Sequence, residues 1–308
     1  MNVQETTSPK KWYLIFPVIA AIWTMWWTYS YYARLYGPDE WVDISLITIP
    51  SITGLAVLTI FVSAFYTPKT AKSRTVFISM GIAWFFYFLG ELTFSSYTLL
   101  LNQDPPYPSI GDLFWLIGTI LLIDELVKYG YTLKGGIDRK KMMIFFTVTG
   151  IFILLLLYFA FWDIIMAEFG DDYNPYQKSL DIFYFTADAL IIYASMFIIF
   201  GLISQQQKDF GKGIPVGWLI IIVGMFFMIL ADTLYAYKEW KGLELNLNFI
   251  LFSLNFQLDE IYRVDDLLYV LNYLFWGIGA IFLPRKINLT KAKVDKFVDE
   301  VQETLEES

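Results

Sequence analysis

The chain has 308 residues, of which 57% are hydrophobic, 19% aromatic and only 17% charged, with a mean hydropathy of +0.52 and a formal net charge of −8. A soluble domain carries roughly a quarter charged residues, so this composition excludes an ordinary water-soluble globule and points to a protein of the lipid bilayer. The absence of Cys and His removes disulfides, thiolates and imidazoles, and with them most zinc, haem and triad chemistry. No cofactor, no nucleic-acid partner and no enzymatic activity are expected.

About 20 mostly apolar residues are needed to cross roughly 30 Å of hydrocarbon. In chain order, runs of that kind cover Trp12 to Ala33, Ile44 to Pro68, Thr75 to Gln103, Met142 to Trp162, Ala189 to Gln207, Gly213 to Ala231 and Leu267 to Pro284. The third is interrupted only by Glu91. An eighth, Ser109 to Lys128, reaches span length only with Asp112 and the Asp124/Glu125 pair at its edges. Charge asymmetry decides in its favour: with eight crossings and a cytoplasmic N-terminus, 17 of the 22 Lys and Arg residues fall on the inner side, as the positive-inside rule requires. The expected fold is therefore all-α: residues 1–11 cytoplasmic, an eight-helix transmembrane domain over 12–284 arranged as repeated hairpins, and a cytoplasmic tail over 285–308. No cleavable leader is expected, because the first apolar run is too long and no small-residue cleavage site follows it.

Two further segments have character. In the tail, Val294, Phe297, Val298, Val301 and Leu305 form one helical stripe, as in an amphipathic helix lying on headgroups or docking a partner. The connection from Glu239 to Arg263 is long and apolar, with strand-like alternation from Leu243 to Leu251; a cap over the outer mouth or an interfacial helix would account for it.

The acidic residues carry the functional expectation. At about 1.5 Å per residue, Glu91, Asp112 and Asp188 all lie about 24–26 Å from the inner boundary, with Asp163, Asp232 and Asp266 slightly higher, so a layer of carboxyls beneath the outer surface is predicted. Asp43, Asp112, Asp181 and Asp265/Asp266 stand at or near the starts of even-numbered helices, where a negative charge meets the positive end of the helix dipole. Ser109-Ile110-Gly111-Asp112 has the spacing of a capping box. Glu91, Asp163 and Asp232 stand near helix C-terminal ends, where the dipole disfavours them, and a carboxylate in hydrocarbon is costly without a partner. Expected partners are helix N-termini, Ser95, Tyr235, Arg263 or a bound cation, and a structural network of protonated, hydrogen-bonded carboxyls is the reading that competes with a ligand or ion site. The candidate ligand- or cation-binding set is Glu91, Asp112, Asp181, Asp188, Asp232 and Asp266.

A pattern repeats along the chain: odd helix, outer loop, then an even helix opening with Asp and apolar or aromatic residues. It reads Asp112-Leu113-Phe114-Trp115, Asp181-Ile182-Phe183-Tyr184 and Asp266-Leu267-Leu268-Tyr269, with Gly90-Glu91-Leu92-Thr93 and Ala231-Asp232-Thr233-Leu234-Tyr235 closing the preceding helices of two of the hairpins. This is the form a duplicated hairpin would take, and repeat interfaces are where membrane binding sites often lie.

Leu89-Gly90-Glu91-Leu92, followed by Pro105-Pro106-Tyr107-Pro108-Ser109-Ile110-Gly111-Asp112-Leu113-Phe114-Trp115-Leu116, resembles the PPYPSxAD-type signature of multi-helix membrane sensor regions found N-terminal to bacterial and archaeal diguanylate cyclases and histidine kinases. Ser179 to Asp188 and Leu230 to Tyr235 are similar to its later segments, so the resemblance runs from about Thr75 to Pro284. Gly111 stands where that signature has Ala, and only 25 residues follow Leu283, too few for a kinase, cyclase or receiver domain. The resemblance implies a prokaryotic sensor-like module in the cell membrane, without its output domain, signalling to a separate cytoplasmic partner.

Three functions compete at this stage. One is a sensor or ligand-binding module whose outer carboxyls hold a small molecule, lipid headgroup or cation. Another is a cation- or proton-coupled transporter or channel, disfavoured because the inner half is nearly free of ionisable groups. The remotest is an intramembrane aspartyl protease, suggested by Gly111-Asp112 but lacking the earlier glycine of such elements, since position 109 is Ser.

Overall fold

The computed structural model describes residues 14–32, 38–66, 72–103, 105–133, 139–160, 175–206, 216–241 and 264–282, all of them helical except for short turns. The helices are α1 (Ile15–Tyr32), α2 (Pro38–Tyr66), α3 (Lys72–Leu101), α4 (Ile110–Leu133), α5 (Arg139–Ala160), α6 (Pro175–Gln206), α7 (Val216–Lys241) and α8 (Val264–Phe282). Each predicted apolar run is thus a helix. Five, in α2, α3, α6, α7 and α8, are long and apolar enough to cross a membrane. The amphipathic tail, the 242–263 connection, Asp163 and the side chains of Asp43 and Tyr235 lie outside the described residues.

Hydroxyl groups in these helices satisfy themselves locally. Thr24, Thr28, Ser51, Thr53, Thr59, Thr93, Thr186 and Thr233 each donate to the carbonyl four residues back, so the helices carry them through an apolar medium at little cost.

Neighbour relations define the architecture. α3 packs on α4, α4 on α6 and α6 on α7. The fifth member, α8, lies against α7, where a Cβ on Gly279 would come within 2.8 Å of the Gly217 carbonyl, and against α3, where Trp276 and Tyr273 meet Trp84. Helices α3, α4, α6, α7 and α8 therefore close a ring. Outside it, α2 packs on α3 and on α8 at Gly277, α1 packs on α2, and α5 packs on α6. Such close approach of backbones through small residues is the usual way membrane helices associate, since lipid provides no hydrophobic drive between them.

The half of the ring away from the α3–α4 turn is apolar core. Phe77, Met80, Leu122, Leu126, Ile198, Leu202, Ile221, Met225 and Ala280 are all buried there. Charge returns at its far edge, where Lys128 pairs with Asp124 and, at 3.4 Å, with Glu125.

Candidate functional site

The opposite end, at the α3–α4 turn, is polar. Two features build that turn: Asn102 has a left-handed backbone (φ 50°) just past α3, and the Gln103 N–H donates to the Tyr97 carbonyl at 3.1 Å. Asparagine tolerates that region better than other side-chain-bearing residues do. The Tyr107-Pro108 bond is cis.

The capping box forms as the spacing predicts. The Asp112 carboxylate accepts from the Ser109 backbone N–H (2.6 Å) and hydroxyl (2.8 Å), while Ser109 Oγ accepts the Asp112 N–H at 3.3 Å. Asp265 and Asp266 sit in the first turn of α8, with the Asp266 N–H donated to Asp265 Oδ1 at 3.0 Å. Asp181 departs from expectation. Because α6 already begins at Pro175, Asp181 lies in its second turn and Asp188 well inside the helix, so neither caps it. The helix extends past the apolar run because the outer residues Pro175 to Asp188, though more polar, continue the same ladder, with Pro at its first position.

Four of these carboxyls, Glu91, Asp112, Asp181 and Asp232, are met by an aromatic donor from another part of the chain. Tyr273 of α8 donates to Glu91 of α3 at 2.5 Å, and the Trp115 indole of α4 lies within hydrogen-bonding reach of the same carboxyl. Tyr269 of α8 donates to Asp232 of α7 at 2.5 Å. The Tyr184 hydroxyl of α6 points to Asp112 Oδ1 at 3.4 Å. In the α3–α4 turn, Tyr107 donates its hydroxyl to Asp181, and Gln177 Nε2 donates to the Tyr107 carbonyl at 3.0 Å, stitching the Pro-rich turn onto α6. Finally, Asp188 and Asp232 lie within hydrogen-bonding reach of each other. Two carboxyl groups can share a hydrogen bond only through a proton.

Tyr87 stands at the centre of this level. It is buried, bonds Thr119 at 2.6 Å, and is within electrostatic reach of Glu91, Asp188 and Asp232. Its place depends on Gly118, where a Cβ would lie 2.8 Å from the Tyr87 ring, just as Gly90 makes room for Trp115, whose indole nitrogen would be 2.4 Å from a Cβ there. The glycine next to Glu91 is what lets an indole cross from α4 and reach that carboxyl.

Glu91, Asp188 and Asp232 converge around Tyr87, whereas Asp112 and Asp181 stand with Tyr184 and Tyr107 on the α4–α6 side. Asp266 joins the first group through its electrostatic reach to Glu91. Glu91, Asp188 and Asp232 remain only half-buried. Among the described residues no three acidic side chains form a group fit for a metal ion. The hydroxyl that serves Glu91 comes from Tyr273 across the ring, not from Ser95 one turn along.

Sequence reading missed the tyrosines and the tryptophan, although the signal was present. In the repeated helix opening, the aromatic residue three places after the Asp lies at a carboxyl: Tyr269 after Asp266 donates to Asp232, and Trp115 after Asp112 lies close to Glu91. Tyr184 after Asp181 turns instead to Asp112.

The chain matches no protein-family model, no curated protein and no solved structure. What the fold defines is a class: an all-helical, membrane-type bundle with a carboxyl–aromatic layer at one end of a five-helix ring.

Proposed function

We propose that this chain is an integral membrane, sensor-like ligand-binding module, with eight helices crossing the cell membrane, both termini cytoplasmic and the carboxyl–aromatic layer near the outer surface. The observation that carries the reading is the convergence of Glu91, Asp188 and Asp232, from three helices of one ring, around Tyr87, with Tyr273 and Tyr269 donating to Glu91 and Asp232 and all three acids still half-buried. Carboxyls beside phenol and indole rings suit a ligand bearing positive charge or hydroxyl groups: a small molecule, a lipid headgroup or a cation. Occupancy would shift α8, which supplies both Tyr269 and Tyr273, and the inner loops or tail would pass the change to a cytoplasmic signalling partner. The resemblance of the 105–116 segment to membrane sensor regions agrees with this reading.

A cation- or proton-coupled transporter would need a polar path through the far half of the ring, where the described core is apolar. An aspartyl protease would need two carboxyls sharing a proton; Asp112, the acid of its Gly-Asp element, contacts Ser109 and Tyr184, and the two acids within reach of each other are Asp188 and Asp232, outside that element.

Two measurements test the proposal. With no native Cys, single cysteines at Lys134 and Asp171 are expected to label from opposite sides of the membrane; same-side labelling removes the eight-span topology. Purified protein in detergent is expected to melt higher with at least one of calcium, magnesium, choline or spermidine at millimolar concentration, because a ligand that binds the folded state stabilises it by mass action. Glu91→Gln and Asp232→Asn are expected to abolish that shift. If none of the four probes moves the wild-type melting temperature, the layer acts as a structural network and the cationic-ligand reading falls.

A further inference from the structure

Below the carboxyl level the ring contains buried polar atoms with no hydrogen-bond partner among the described residues. Asn272 of α8 is fully buried, and neither its amide nitrogen nor its oxygen has a protein partner; the indole nitrogens of Trp84 on α3 and Trp276 on α8 share that condition at 0% and 1% exposure. The Trp84 and Trp276 rings meet at 4.3 Å, and Asn272 precedes Trp276 by one turn on the same face of α8. Gly224 of α7 closes another side, since a Cβ there would lie 2.9 Å from the Trp276 ring and 3.0 Å from the backbone carbonyl oxygen of Asn272. Trp84 also stacks on Tyr87 at 5.0 Å and meets Tyr273 edge-on at 5.3 Å. The cluster thus adjoins the phenols of the layer above.

Buried polar groups in native proteins are hydrogen-bonded to protein or to ordered water, because stripping them of water without replacement is costly. The donor and acceptor inventory selects the ligand. Two indole N–H groups and an amide NH₂ require an acceptor, while the amide oxygen requires a donor. An anion would satisfy the first three, but would face the amide oxygen and lie beneath three carboxyls. A metal cation would find a single oxygen. Of these three, only water both accepts from the N–H groups and donates to the amide oxygen.

We propose that Asn272, Trp84 and Trp276 form an internal hydration site, holding ordered water one turn below Tyr269 and extending the polar layer toward the middle of the ring. The site does not depend on the ligand reading above, since water can occupy it whether or not the outer carboxyls bind anything.

X-ray radiolysis of the full chain in lipid nanodiscs, in ¹⁸O-labelled water, tests this directly, because hydroxyl radicals formed from a bound water oxidise the side chains beside it. Trp84 and Trp276 are expected to gain ¹⁸O well above Met80, which is equally buried (2%) in the apolar core one turn from Trp84. Asn272→Leu is expected to lower the yield at Trp276. Labelling of the two tryptophans no greater than that of Met80, or unchanged by Asn272→Leu, overturns the proposal. If the Leu variant does not fold, the wild-type contrast with Met80 decides alone.

Discussion

The α3–α4 and α7–α8 hairpins present the same chemical device in two states of closure. Each sets a carboxyl near the end of its first helix, Glu91 or Asp232, and opens its second with an Asp followed three residues later by an aromatic donor, Trp115 or Tyr269. In α7–α8 the device is complete within the hairpin, apart from the Asp188 carboxyl that α6 brings to Asp232. In α3–α4 it is completed from outside, because Glu91 takes its 2.5 Å bond from Tyr273 of α8. The two hairpins are therefore joined through α8, where Tyr269 and Tyr273, one turn apart, serve a carboxyl of each. A repeated motif has been turned into a single connected layer by one additional tyrosine.

The comparison can be broken most strongly at the glycines. Gly90→Ala places a Cβ 2.4 Å from the Trp115 indole, against 2.9 Å for the α7–α8 contact of Gly224 with Trp276. Overpacking of this kind costs about 1–3 kcal/mol, so Gly90→Ala is expected to lower the melting temperature in detergent more than Gly224→Ala. Equal effects would mean that the α3–α4 contact is no tighter than α7–α8.

The shared helix is tested next. Tyr273→Phe strands a carboxyl bond inside the ring, where Tyr273 is 1% exposed, whereas Tyr269 is half-buried. Hydrogen bonds to charged groups are worth about 1.5–3 kcal/mol and ordinary ones about 1 kcal/mol. Tyr273→Phe is expected to approach the former and Tyr269→Phe the latter in denaturant or thermal unfolding; the reverse order would place the linkage within each hairpin rather than across α8. The smallest effect is local to one hairpin: Ser109→Ala removes the hydroxyl of the capping box and is expected to cost about 1 kcal/mol, without altering the probe-induced melting shifts that depend on Glu91.

The helices and the capping box were legible in the chain, each from a local rule. Apolar runs of span length became helices because the ladder satisfies every backbone group where water is absent. Ser109 found Asp112 because N-cap and N3 are neighbours by construction. The Asp181 expectation failed for the same kind of reason in reverse: hydropathy marks where a helix is apolar, not where its ladder begins, and α6 starts at Pro175, ahead of both Asp181 and Asp188.

Sequence by itself determined that this is a membrane-type helical protein with acids gathered toward one end, because composition and 3.6-residue periodicity act over single helices. Tertiary structure decided which acid meets which donor. Glu91 and Tyr273 are separated by 182 positions, and Tyr107 and Asp181 by 74; nothing along the chain encodes such pairings except the shapes that let α8 close the ring. Gly90 and Gly118 mattered for the space they leave, Trp115 and Tyr87 for how they fill it, and a one-dimensional reading has no measure of either.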